Sequence, residues 1–353
     1  MTDAAAKAGA GRFFEDFFIG EALTHATPRT LTMGDVSLYA ALYGARFAVQ
    51  SAEPFARAIG YPTSPIDDLL VFHVVFGKSV PDVSLNAVAN LGYADCRFLR
   101  PVYPGDTLWA RSDVIGLRET SSRDSGVVHV RTYGFNQRAE TVLSFVRWVL
   151  VRKRDAQAPV SPAPAPALPA FVPADELDEC GRDIVLKAYD FALSGSLNRF
   201  ADYAQGERID HVDGVTIEEA EHQIATRLFQ NTAKVHFNQF SEAKGRFGKR
   251  LVYGGHVISL ARSLTFNGLT NAYRLAAING GRHVAPVFAG DTIFAWSEVL
   301  TTALPPRLKT LGALRLRTIA TKNRPCADFP GRRGEAYDPA VVLDLDYWAL
   351  LPR

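Results

Sequence analysis

The 353-residue sequence is short of cysteine. It has only Cys96, Cys180 and Cys326, with no CxxC spacing among them. An odd, scattered set excludes a disulfide framework and a zinc site, and fits packing thiols in a reducing, cytoplasmic setting. An excess of one charge is also missing, since 39 Lys and Arg against 37 Asp and Glu leave a net +2. That balance gives no electrostatic footprint for nucleic acid or a membrane surface. No uninterrupted apolar run approaches the roughly 20 residues needed to span a bilayer. The opening stretch MTDAAAKAGAGRFFEDFF has early acidic residues and no apolar core of export-signal length, so a cytoplasmic protein is expected. The GxGxxG, P-loop and GxSxG patterns are absent, which leaves nucleotide-binding and serine-hydrolase readings without support.

At 47% hydrophobic and 22% charged, the chain is long enough for two domains or one doubled domain. Duplication is legible directly. Phe14, Asp16, Gly20, Glu21, His25 and Thr30 recur as Phe200, Asp202, Gly206, Glu207, His211 and Thr216, at a constant offset of 186. RFLRPVYPGDTLWARSDV (97–114) recurs as RHVAPVFAGDTIFAWSEV (282–299) at offset 185, with nine of eighteen positions identical. One unit has been built twice. The expected division is a first repeat over 1–151, a linker over 152–177 and a second repeat over 178–353. Alternating Pro and Ala in the linker predict an extended polyproline-type segment rather than packed structure. An extra helical segment around 183–193 is expected before the second repeat.

Each copy reads in the same order. A short amphipathic helix is expected over 33–43 and over 217–229, with a Thr216–Glu219 capping box in the second and a Gly44 C-cap in the first. A second helix follows an irregular stretch. In the first copy Ser64, Pro65 and Asp67 supply its start, and Leu69 to Phe76 are apolar around nearly the whole circumference, so it should be buried on most sides. Strand-like runs follow at 107–115, 127–135 and 142–151, separated by turns such as Pro104-Gly105-Asp106. A sheet wrapped on a buried helix, made twice, is an α+β architecture.

Within this frame the stretch 230–260 is distinct. Asn231 and His236 sit five positions apart on a loop, and Tyr253-Gly254-Gly255 leads into the second copy's apolar helix. Histidine is suited to moving protons near neutral pH, and two glycines at a helix start let N–H groups approach a ligand oxygen. Such a set suits chemistry at a carbonyl compound. Taken by themselves, however, these residues fit better a loop histidine and a glycine turn.

Helix, histidine loop, glycine-led buried helix and strands bearing PVFAGDT (286–292) resemble the MaoC-like, or hydratase 2, hotdog family. The resemblance implies a double hotdog acting on a coenzyme A thioester. It also implies an Asp followed five residues later by a His, and a Gly at the start of the central helix. The similarity is closer still in HATPRTLTMGDVSLYAALYGARFAVQS, YPTSPIDDLLVFHVVFGKSVPDVSLNAVANLGYADCRF and VYPGDTL. That closer similarity implies reversible hydration of the 2-methylfumaryl thioester, in bacterial C2 or glyoxylate assimilation, with no cofactor beyond the substrate's own coenzyme A. A homodimer or larger assembly is expected by analogy with other hotdog proteins.

Carried onto this chain, the resemblance makes His236 the general base and Gly255 N–H, with Gly254 beside it, the donor to the thioester oxygen. Asn231 replaces the family's Asp and cannot itself be a base, so its expected part is to position water. Arg97 is the first candidate for the substrate's free carboxylate, ahead of Arg46 and Arg282, and Asn86 is the candidate for the pantetheine amide. In the first copy Ala45 and Gln50 stand opposite Asn231 and His236, and Asp68 stands opposite Gly255 at offset 187, so one competent site is expected, in the second copy. His25 and His211, present in both copies, are expected to be structural, and His73 to be a hydrogen-bonded core residue. His256 is expected either to line the site or to face the core. The alternatives are an acyl-CoA thioesterase, or a non-catalytic acyl-CoA binding protein in which Asn231 is a decayed Asp.

Overall fold

The computed structural model describes residues 7, 9–44, 46–161, 163–179 and 182–353. Ala45 and Cys180, both singled out above, lie outside the described residues. Five long strands come from the first half: β1 (Ala22–Thr30), β2 (Ala87–Phe98), β3 (Thr107–Glu119), β4 (Ser125–Phe135) and β5 (Thr141–Arg152). The second half supplies β6 (Arg208–Thr216), β7 (Arg274–His283), β8 (Thr292–Ala303) and β9 (Leu311–Lys322), the small hairpin β10 (Arg332–Arg333) and β11 (Ala336–Tyr337), and β12 (Val341–Pro352). All but the hairpin join one ten-stranded antiparallel sheet in the order β1-β3-β4-β5-β2-β7-β12-β9-β8-β6. The halves therefore meet edge to edge at β2 and β7. In that pairing Tyr93 lies opposite Gly281 and Cys96 opposite Ile278, and shifting by 185 maps each pair onto the other. A pseudo-twofold axis passes through this seam.

In the first half the helices are α1 (Met33–Tyr43), α2 (Ala48–Ser51), α3 (Glu53–Ala58) and α4 (Asp68–Val83). Beyond it come α5 (Phe191–Ser194), α6 (Glu219–Leu228), α7 (Lys234–Phe237), α8 (Gln239–Glu242), α9 (Gly254–Leu264) and α10 (Phe266–Leu269). The starts of α1 and α6, α2 and α7, and α4 and α9 are each 186 apart, so the repeat extends to the short loop helices. As the apolar run predicts, every residue of α4 from Asp68 to Val80 is buried, and α4 and α9 share one core with the inner face of the sheet.

Gly44 is a left-handed C-cap whose N–H reaches the Ala40 carbonyl. Asp67 is the N-cap of α4 and accepts from Leu69 N–H at 2.8 Å, while Ser64 and Pro65 precede the helix. The box expected at Thr216 falls instead on Glu218 and Glu221. Thr216 ends β6 and shares a hydroxyl hydrogen bond of 2.8 Å with Thr292, because the strand pairing extends two residues further than the capping motif suggests. The segment 183–193 is mostly irregular, with a single 3-10 turn, Leu186–Ala188, before α5.

The linker ends in a 3-10 helix, Ala174–Glu179, and it packs. Ala163 bridges to Leu117, Val172 N–H donates to Asn279 Oδ1 at 2.9 Å, and the Trp348 indole donates to the Val172 carbonyl at 2.9 Å. Val172 and Leu177 are fully buried with Trp348 and Tyr273 in a second apolar cluster. Proline removes donors but leaves carbonyls, so such a segment still binds a surface that offers side-chain N–H groups.

Candidate functional site

The site assembles where α6 ends. Gln230 takes a left-handed backbone (φ 53°) and stops the helix. The next side chain, Asn231, is buried, and its Oδ1 accepts from Ala233 N–H at 3.0 Å, turning the chain into α7. That bond engages one lone pair of the amide oxygen and leaves Nδ2 as its donor. His236 lies on α7, half-buried, with Nδ1 2.9 Å from the Leu251 carbonyl. A carbonyl only accepts, so Nδ1 carries the hydrogen and Nε2 presents a lone pair. Burial, opposed by the bond to Leu251, pushes the imidazole pKa down to about 4. At neutral pH His236 is the free base.

Leu251 belongs to the turn that opens α9, so one backbone carbonyl orients the base while the residues just after it form the helix start. Tyr253 is the N-cap, and its ring meets the His236 ring edge-on with centroids 5.4 Å apart. Glycine is needed at the next two positions by close approach. A Cβ on Gly255 would lie 2.3 Å from the Tyr253 ring and 2.6 Å from His73; one on Gly254 would lie 2.4 Å from the His283 ring. The first N–H groups of a helix have no intrahelical acceptor, and those of Gly254 and Gly255 are in this position. The helix dipole adds to their pull on an anionic oxygen.

His236 on α7 and Gly254 and Gly255 at the start of α9 are thus brought together, with Asn231 on the turn that leads into α7. Arg97 is not with them. Its guanidinium is held by Asp95 at 2.8 Å and by Glu176 of the linker, and Asp95 also binds Arg131 at 2.9 Å. Asn86 is elsewhere too, donating to the Ala10 and Arg12 carbonyls of the amino-terminal segment at 2.9 and 3.1 Å. Arg46 stacks over Phe266, and Arg282 is exposed on β7.

The other histidines fall where duplication places them. His25 Nε2 meets Ser112 Oγ at 2.7 Å and His211 Nε2 meets Ser297 Oγ at 2.8 Å, each at the head of the same Ser–Thr chain across two strands. His73 is fully buried, with Nε2 2.9 Å from Ser259 Oγ. His256 faces the core, with Nδ1 2.9 Å from the Tyr43 hydroxyl.

Among the described residues, the first half has neither the imidazole nor the glycine step at the equivalent positions. Gln50 occupies on α2 the position His236 holds on α7, and donates to the Tyr273 carbonyl at 3.0 Å. The aligned helix starts place Asp68 opposite Gly254, one residue from the expected pairing with Gly255, since the offset is 186 here. The Asp68 carboxylate is buried, paired with Arg274 and accepting Leu275 N–H at 2.9 Å. Burial raises its pKa to about 6 against the pull of Arg274. Where the second half keeps its helix-start N–H groups open, the first caps Leu69 N–H with Asp67 and turns the Asp68 carboxylate to Arg274 and Leu275.

Two residues of this neighbourhood escaped sequence reasoning. His283, at the end of β7, lies against Gly254, and its Nε2 is 3.1 Å from the hydroxyl of Tyr93 on β2. At offset 185 their counterparts are Phe98 and Ile278, both buried and apolar. The asymmetry that singled out His236 was available for this pair as well, but nothing in one dimension joins residues 190 apart. Among the described residues no group of three or more His, Cys, Asp or Glu is placed to hold a metal ion, and no helix is long and apolar enough to cross a membrane.

Comparison with known proteins identifies the family and the fold. The sequence profile of the family described as mesaconyl-CoA hydratase matches residues 1–165. The chain is 59% identical to the β-methylmalyl-CoA dehydratase of Chloroflexus aurantiacus, over 99% of both chains. It is 56% identical to the mesaconyl-CoA hydratase of Cereibacter sphaeroides, over 98% of this chain and 100% of that one. The crystal structure of a MaoC domain protein dehydratase from Chloroflexus aurantiacus superposes with a TM-score of 0.96 at 58% identity, covering 99% of each chain. A double-hotdog protein of Mycobacterium tuberculosis superposes at 0.73 with 24% identity, over 97% of this chain and 99% of that one, which speaks for the fold alone.

Proposed function

The chain belongs to the mesaconyl-CoA hydratase family of MaoC-like double-hotdog proteins, and from that premise we propose how its second half performs the reaction. The enzyme is a hydro-lyase that interconverts mesaconyl-CoA plus water and β-methylmalyl-CoA. His236 Nε2 takes a proton from water as the water oxygen adds to the carbon β to the thioester. The double-bond electrons move toward the thioester oxygen, which receives Gly255 N–H with Gly254 beside it. The proton then returns from His236 to the α carbon, so that water is added and nothing else is consumed. Asn231 Nδ2 holds the attacking water. A donor aimed at a developing oxyanion is commonly worth about 100- to 1,000-fold in rate. No cofactor beyond the coenzyme A of the substrate enters this scheme.

The observation that carries the reading is the neutral, carbonyl-tethered imidazole of His236 beside an open helix start, set against Gln50 and Asp68 in the other half. The test is to incubate the enzyme with mesaconyl-CoA and follow loss of the conjugated thioester absorbance together with thiol release. Loss of absorbance without free thiol is expected. Thiol release in step with substrate loss would replace the reading with a thioesterase.

A further inference from the structure

The proposed substrate carries a free carboxylate on the carbon that receives water, and the site as described so far has nothing dedicated to it. The arginines on the surrounding elements are engaged. Arg97 on β2 is held by Asp95 and Glu176, and Arg274 on β7 by Asp68. Arg262 on α9 donates to Thr265 and the Ala272 carbonyl and stacks over Phe47. Arg282 alternates to the opposite side of β7 from its neighbour His283.

His283 itself is placed differently. Its ring lies on Gly254, at the helix start that His236 also faces, and the two imidazoles are near enough that charge on His236 disfavours charge on His283. Its Nε2 is 3.1 Å from the Tyr93 hydroxyl. Tyr93 is buried, and its ring lies so flat on β7 that a Cβ on Gly281 would fall 2.0 Å from it. Among the described residues, the one hydrogen-bond partner of that hydroxyl is His283. If His283 Nε2 carried the hydrogen, the buried phenolic O–H would have no acceptor, which costs about 1–3 kcal/mol. The favoured arrangement has Tyr93 O–H donating to Nε2, and hence the hydrogen of His283 on Nδ1. Unlike the buried orphan nitrogens of His73 and His256, that nitrogen is not sealed in the core. The first half has Phe98 and Ile278 in the same two places, so packing at the seam does not require a polar pair.

We infer that His283 Nδ1–H, held in that tautomer by Tyr93, receives the free carboxylate of the substrate and so determines the preference for a dicarboxylic acyl thioester. The inference rests on the hydratase reading, since it is that substrate which carries the second carboxyl group. Tyr93 is a positioning residue, acting through His283. The neutral Nδ1–H donates to the anion while Nε2 keeps its bond from Tyr93, so the carboxylate is met without a buried permanent cation.

The experiment measures affinity for two saturated, unreactive thioesters, 2-methylsuccinyl-CoA and 2-methylbutyryl-CoA, which differ only in carboxylate against methyl. Calorimetry on wild type is expected to show preference for the former. His283→Phe, which installs the residue of the first half, should weaken 2-methylsuccinyl-CoA about 10- to 100-fold, the range for a hydrogen bond to a charged group, and leave 2-methylbutyryl-CoA unchanged. His283→Gln, which keeps an N–H donor, should recover part of the loss, and Tyr93→Phe should show a smaller loss of the same sign. An equal effect of His283→Phe on both ligands, or none on either, overturns the inference. Failure of wild type to hydrate mesaconyl-CoA would instead overturn the hydratase reading beneath it.

Discussion

The two halves of this chain share a fold down to the start of each short loop helix, and they differ at the positions proposed for chemistry. On α7 and α9 the second half has an imidazole and a pair of glycines. On α2 and α4 the first has an amide and a carboxylate. What both halves keep is architectural: His25 and His211 with their Ser–Thr chains, and the Gly-Asp-Thr turns. Duplication therefore acts as an internal control. A residue needed to make a hotdog is present twice, whereas the residues proposed for catalysis are present once. In the first half the position opposite Gly254 holds a buried Asp68–Arg274 pair, which joins the start of α4 to a strand of the other half.

The comparison breaks most directly by exchanging the base. His236→Ala is expected to lower kcat about 100- to 10,000-fold for mesaconyl-CoA, the usual range for a general base, while Gln50→Ala leaves kcat within a few-fold of wild type. Equal losses from the two would mean that both halves work.

Asp68→Ala tests whether the first half's carboxylate is structural. Removing one partner of a buried ion pair leaves the other charge unpaired, and a loss of about 3–5 kcal/mol is expected by denaturant unfolding, with kcat preserved where the protein stays folded. An active variant of unchanged stability would deny the filled-site description.

The smallest effect is on pH. His236 and His283 are each pushed down to about 4 in the folded protein, and His73 and His256 to about 3, in every case chiefly by burial. The ordinary histidine value is about 6.5, so between that value and 4 the unfolded chain binds more protons than the folded one. Stability from these groups is complete above pH 6.5 and declines as pH falls through 4. Thermal unfolding followed from pH 7 to pH 4 should show a progressively lower Tm. His236→Gln and His73→Gln should each flatten that decline slightly, one histidine being in the second half and one in the first.

Much of this was open to inspection in one dimension, and the reasons are local. Offsets of 185 and 186 need only identity. The burial of α4 follows from apolar residues on every face, and the left-handed cap at Gly44 from the lack of a Cβ. Asn231, His236 and the glycine step lie within 25 residues on consecutive turns, so nearness in sequence already implied nearness in space. Arg97 misled because a cation on the right strand looks available until the fold shows its neighbours. Asp95 is two residues away, but Glu176 arrives through a linker whose packing its composition did not reveal.

By itself, then, the sequence determined a doubled α+β unit with one histidine loop, because periodicity and turn chemistry act over a few residues and survive without their surroundings. The tertiary structure decided which polar groups are left over. Pairing β2 with β7 across the seam sets Tyr93 against His283, and closing α4 onto β7 buries Asp68 with Arg274. A hydrogen bond is a contact of about 3 Å between atoms whose separation along the chain is unconstrained. Whether a donor is spent or free is therefore settled only when the sheet has closed.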